Sequence, residues 1–168
     1  MVKELVESFS MWLSTTQASA FVMGHAWVWP TAETLHFIGL SMLIGVIALI
    51  DLRLLGLAKR VPFGPLHRLL PWGISGFLIC FSTGVVFFTG DPLQYVNNWV
   101  FWCKMLFVVL AGLNVGTFYV TGIFGAAEKL GAGDDAPVAA KVIAVLSLVL
   151  WISVMYLGRM LPFLGDAF

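Results

Sequence analysis

The sequence predicts an all-α fold: a transmembrane four-helix antiparallel bundle preceded by an N-terminal amphipathic interfacial helix. Three observations predict it. Of 168 residues, 60% are hydrophobic and 11% charged, against roughly 45–50% and about 25% in soluble domains, and the mean hydropathy is +0.97. Four runs of 17 to 23 residues carry at most one charge each, and a helix needs about 20 apolar residues to cross a bilayer. The connections between the runs are short, which sets successive helices antiparallel.

The chain reads as one integral membrane domain, residues 1–168, and its elements follow in order. Within residues 1–28, Val2, Leu5, Val6, Phe9, Trp12 and Leu13 fall at helical spacing on one stripe. Glu4, Glu7, Ser8 and Ser14 interrupt any signal-peptide core, so this segment is expected to lie in the outer interface. Spans are expected at about 31–53, 69–90, 102–127 and 141–161. The first holds Glu33 and His36; the second is free of charge throughout, as is the third from 105 onward. The fourth is charge-free over 142–158 and extends through Arg159. Trp27, Trp29, Trp72, Trp99 and Trp102 sit near span ends as an aromatic belt. Pro30 and Pro71 stand near helix starts, where a missing N–H costs nothing. Asp134, Asp135 and Pro137, with Gly131 and Gly133, mark a turn.

Basic residues set the orientation. Arg53, Lys59, Arg60 and Arg68 flank the first loop and Lys129 and Lys141 the third, against Lys3, Lys104 and Arg159 on the other side. Six against three predicts a multi-pass protein of the bacterial inner membrane with both termini periplasmic. Nine basic and nine acidic residues exclude a nucleic-acid binder that relies on a basic patch. Cys80 and Cys103 are far apart, and no C-x-x-C or C-x-x-C-H is present. Zinc ribbons, thioredoxin-like chemistry and covalently attached haem are thereby excluded. Three histidines remain for metal chemistry: His25, His36 and His67.

Ionisable residues inside a span are costly and mark function. Glu33 and His36 share one helix face, so His36 is expected either to ligate a metal or haem iron, with Glu33 fixing its tautomer, or to be a core histidine bonded to a neighbouring helix. Lys104 enters the third span at the same level; it pairs with Glu33, binds a haem propionate or snorkels to the interface. Asn114 lies deeper, bonding a neighbouring helix or lining a cofactor site. Met23 and His25 offer a thioether and an imidazole soft enough for copper. His25 is equally a second haem ligand or an interfacial histidine without a role, and Pro30 is expected to break the helix between it and His36. His67 stands at the opposite end, roughly 20 Å or more from His36 at 1.5 Å per residue, so the two cannot share one iron. Asp51 and Arg53 are expected to form an ion pair that fixes the first loop. Gly39, Gly45, Gly73, Gly76 and the Gly112-x-x-x-Gly116 pair let helices approach closely, and equally make room for a flat macrocycle.

Trp29-Pro30-x-x-Glu33-x-x-His36-x-x-Gly39, Asp51-Leu-Arg53-Leu-Leu-Gly56, Pro71-Trp72, Thr83-Gly84, Trp102-x-Lys104 and Asn114 together resemble a family of small bacterial four-helix membrane proteins carrying a domain of unknown function. More distantly the layout is similar to the copper-resistance D and membrane protoporphyrinogen oxidase families. The resemblance implies haem b or copper at His36, with Lys104 and Asn114 near the site. The chain departs from the oxidase pattern: Asn114 lies near the place of that family's second histidine. The expected function is therefore a haem b-binding membrane protein with an electron-transfer or redox role at the outer side, as a homo-oligomer. The alternatives are a copper-handling protein using Met23, His25, Glu33 and His36, or a non-catalytic assembly subunit.

Overall fold

The structure, a computed structural model, describes residues 2–164. Among these residues the chain forms α1 (Val2–Ser14), α2 (Gln17–Gly24), α3 (Val28–Leu55), α4 (Phe63–His67), α5 (Leu70–Gly90), α6 (Pro92–Asn97), α7 (Trp99–Val120), α8 (Ile123–Glu128) and α9 (Val138–Met160). Four stretches are long and apolar enough to cross a membrane: Val28–Leu55, Phe63–Gly90, Trp99–Val120 and Val138–Met160. The bundle architecture agrees with the sequence; its helix ends do not. The third span stops at Val120 instead of continuing to 127, because Gly122 takes a left-handed φ of 76° that ends one helix and opens the next. The same span begins at Trp99, where the Asn98 side chain accepts the Val100 N–H at 2.9 Å. The fourth begins at Val138, directly after Pro137. Pro30 lies inside the first turn of α3 and breaks nothing; the break falls at residues 25–27. The N-terminal segment is two helices, since Thr16 caps α2 by accepting the Ser19 N–H at 3.3 Å.

α3 packs against α5 and α9, and α7 packs against α9, so the spans run in the order α5, α3, α9, α7. The α3–α5 crossing depends on two glycines. A Cβ on Gly76 would lie 2.5 Å from the Gly39 carbonyl oxygen, and one on Gly39 2.8 Å from that of Gly76, so only glycine allows this approach. Gly112 and Gly116 differ: both are exposed, with nothing within 4 Å of an added Cβ, so their stripe faces away from the chain. On the other face of α7, Asn114 Nδ2 donates to the Ile143 carbonyl at 3.0 Å, the interhelical bond expected of an amide in hydrocarbon.

α1, α2 and α6 gather at the end that the charge pattern assigns to the outside. There the buried Asn98 donates to the carbonyls of Leu161 and Leu164 at 3.0 and 2.9 Å, tying the start of α7 to the end of α9. α4 and α8 meet at the opposite end, the inner one by the same charge pattern. The buried Arg53 is clamped there, donating to the carbonyls of Val61, Asp134 and Gly131. This corrects the expected ion pair with Asp51. Two residues apart on a helix, the side chains point to different faces, and Asp51 turns to Ser147 of α9 as its hydrogen-bond partner.

Candidate site between α3, α5 and α7

His36 sits on α3 opposite Thr83 of α5, with its Nδ1 at 2.8 Å from the threonine hydroxyl. That hydroxyl also lies 2.7 Å from the Ile79 carbonyl and 3.1 Å from the Cys80 carbonyl. The Ile79 and Cys80 carbonyls offer the threonine hydrogen an acceptor on its own helix, which leaves the oxygen able to accept from His36 Nδ1–H. In the tautomer that carries its proton on Nδ1, Nε2 presents a lone pair with no hydrogen-bond partner among the described residues. Thr83 therefore supplies the orienting bond expected from Glu33. Glu33 is exposed and acts on Tyr95 of α6, whose phenol is pushed up to about 12 by burial first, then by the charges of Asp91 and Glu33.

The space around His36 is shaped by α5 and α7. Cys80, Gly84 and Phe88 fall four residues apart along one line of α5. Phe88 stacks on Phe101 of α7 with centroids 6.0 Å apart, so this line faces α7 and the two helices touch at their outer ends. One turn deeper, an added Cβ on Gly84 meets nothing within 4 Å. Lys104 follows Phe101 by one turn of α7. Its Cε and Nζ lie 3.6 Å from where a Cβ of Gly158 on α9 would be, and its charge is felt at His36 and Cys80. The Cys80 thiol reaches the His36 carbonyl at 3.5 Å, and the Phe87 ring lies 5.6 Å from the imidazole. An imidazole and a thiol thus lie together between α3 and α5, within reach of the Lys104 charge and near the open space beside Gly84.

The other candidates lie elsewhere. Asn114 spends its amide on α9. His25, exposed at the end of α2, holds the Phe21 carbonyl through Nδ1 at 2.9 Å and stacks on the Phe21 ring at 4.3 Å. Met23 rests against Gly90, its sulfur 3.6 Å from where a Cβ would stand. His25, Glu33 and His36 do not form a three-ligand metal group; no such group of histidine, cysteine or acidic residues occurs among the described residues. His67 bonds Tyr119 through Nε2 at 3.0 Å and lies 4.7 Å from the Phe124 ring. Thr83, Cys80 and Gly158 had no chemical role in the sequence reading. Thr83-Gly84 figured only within a motif, because a threonine in an apolar helix looks like any other strand- or helix-tolerant small residue.

Residues 9–164 match the model of a family described as of unknown function, DUF6644. The chain belongs to that family. Comparison with curated proteins and with solved structures gives no match.

Proposed function

We propose that this DUF6644 chain binds haem b through His36 and serves electron transfer or redox chemistry in the outer half of a bacterial inner membrane. One observation carries the reading: His36 Nδ1 meets a hydroxyl that has carbonyl acceptors for its own hydrogen on α5, an arrangement that suits Nε2 as a donor for iron. The surroundings fit the group. Gly84 leaves open room beside α5 where a side chain would obstruct a flat macrocycle, and Lys104 supplies a cation for a carboxylate substituent. Haem b would supply one-electron iron chemistry at a potential set by ligand, burial and neighbouring charge. Thr83 fixes the imidazole plane, Lys104 holds and neutralises a propionate, and Phe87 with the apolar faces of α3 and α5 limits water. The distant likeness to copper-resistance D and protoporphyrinogen oxidase proteins is consistent with a metal or tetrapyrrole ligand. The outward stripe of Gly112 and Gly116 supports a homo-oligomeric arrangement. Nothing in the geometry of Met23 and His25 favours the copper reading.

The test is the absorption spectrum of the protein purified from its native membrane. A Soret band with sharp reduced α and β bands is expected. His36→Ala should remove it, while His67→Ala should leave it intact. Full haem retention in His36→Ala overturns the assignment; a colourless preparation containing stoichiometric copper transfers the site to copper.

A further inference from the structure

The cations of the inner end divide into two groups. Arg53 is spent on three backbone carbonyls. Lys59 and Lys141 both bind Asp135, at 3.1 and 2.9 Å. Arg60, Arg68 and Lys129 are exposed and form no ion pair among the described residues. The fold gathers them. Phe63 N–H donates to the Leu130 carbonyl at 3.1 Å, and Gly133 N–H to that of Lys59 at 2.8 Å, which lays the 59–63 segment beside the 129–133 turn. The His67–Phe124 ring contact holds α4, and with it Arg68, against α8. Among the described residues this end carries the acids Asp51, Glu128, Asp134 and Asp135 against Arg53, Lys59, Arg60, Arg68, Lys129 and Lys141, so positive charge is in excess.

The border of this surface is apolar. Leu57 is 78% exposed and Trp72, four residues beyond Arg68, is 64% exposed; Val61 also faces outward. The spans set these side chains at the boundary between acyl chains and headgroups, where tryptophan settles and lysine and arginine reach upward to phosphate. A soluble anion needs no apolar border, whereas a phospholipid presents a phosphate directly above hydrocarbon. We propose that the α4–α8 end is a docking surface for anionic phospholipid headgroups, with Arg60, Arg68 and Lys129 carrying the charge contacts and Leu57 and Trp72 entering the acyl layer beneath them. It is independent of the haem reading.

The test uses the full-length protein in vesicles of phosphatidylcholine with graded phosphatidylglycerol, and native mass spectrometry of the lipid that stays bound. A preference for phosphatidylglycerol is expected, falling with added salt. Each of Arg60→Gln, Arg68→Gln and Lys129→Gln should lower it by roughly fivefold, the effect of one basic residue near a charged leaflet, and Lys3→Gln at the other end should not. Lys129 lies between α8 and α9, so Lys129→Gln reads the effect even where another of these variants fails to fold. Equal retention of the two lipids by the wild type overturns the proposal. So does an unchanged preference in Lys129→Gln and Arg68→Gln, or complete displacement of the lipid by inorganic phosphate.

Discussion

The two ends of the bundle are built from similar polar residues and use them in opposite ways. At the inner end the groups beneath the surface close on the protein: Arg53 on carbonyls, His67 with Tyr119, Lys59 and Lys141 on Asp135, while Arg60, Arg68 and Lys129 stay exposed around them. At the outer site a histidine also meets a hydroxyl through one nitrogen, but Thr83 has carbonyl acceptors on its own helix, whereas the Tyr119 phenol has no second hydrogen bond among the described residues. The difference lies in what the partner of each group is bonded to next. A polar group whose partner is itself satisfied by the backbone is oriented without being consumed, and that is the condition for holding a ligand.

The largest effect that would sharpen this contrast is expected at Arg53. Arg53→Met keeps an apolar stem but leaves the carbonyls of Val61, Gly131 and Asp134 without their donor. Losing charged hydrogen bonds at a buried site costs about 3 kcal/mol or more. Trypsin cleavage after Arg60 and Lys129 should accelerate by two orders of magnitude or so, with no change at the His36 site. Unaltered cleavage would mean that the loops hold each other without the arginine, and that the inner end is not closed by it.

Next comes Thr83→Val, which is nearly isosteric and removes the hydroxyl that orients His36. Loss of a partner that orients a ligand typically lowers metal affinity 10–100-fold, so haem occupancy under limiting haem should drop while the helical content stays constant. Thr83→Ser restores the hydroxyl and should recover occupancy. Equal occupancy in Thr83→Val and the wild type would remove the tautomer argument, and with it the distinction between the two histidines.

These two positions also mark where the sequence was legible. The four spans could be read because the bilayer demands long apolar runs and charge-free stretches are visible in one dimension. Their ends were read less well, because Gly122, Asn98 and Pro137 act through backbone conformation and capping, to which hydropathy is blind. His36, Glu33 and Lys104 stood out as polar residues in hydrocarbon. The structure bonds His36 to Thr83, within reach of the Lys104 charge, and leaves Glu33 exposed, since helix spacing fixes which face a residue occupies but not which neighbour that face meets. The order α5, α3, α9, α7 could not be anticipated either. Consecutive spans are usually neighbours, and the gap between α5 and α7 that opens beside Gly84 is a departure from that habit. Arg53 was misjudged for a related reason: the nearest opposite charge in sequence, Asp51, lies on another face.

The smallest predicted effect tests whether closure at the inner end reaches its exposed edge. Hydrogen bonds from Lys141 and Lys59 hold the Asp135 carboxyl below its ordinary range, so its folded value is below its unfolded one. Stability from this bridge is therefore present above the unfolded value near 4 and is lost as the pH falls through the lower folded value. Because Asp135 is solvent-exposed, the contribution is small and weakened by salt. Its local readout is the Gly133 amide, bonded to the Lys59 carbonyl at 2.8 Å. Exchange protection at Gly133, corrected for the intrinsic rate, should decline a few-fold on acidification in the wild type. In Asp135→Asn it should already be low at neutral pH and insensitive to acid. If the two proteins show the same protection across that range, the bridge is an accompaniment of the turn, and the Arg53 clamp alone closes this end.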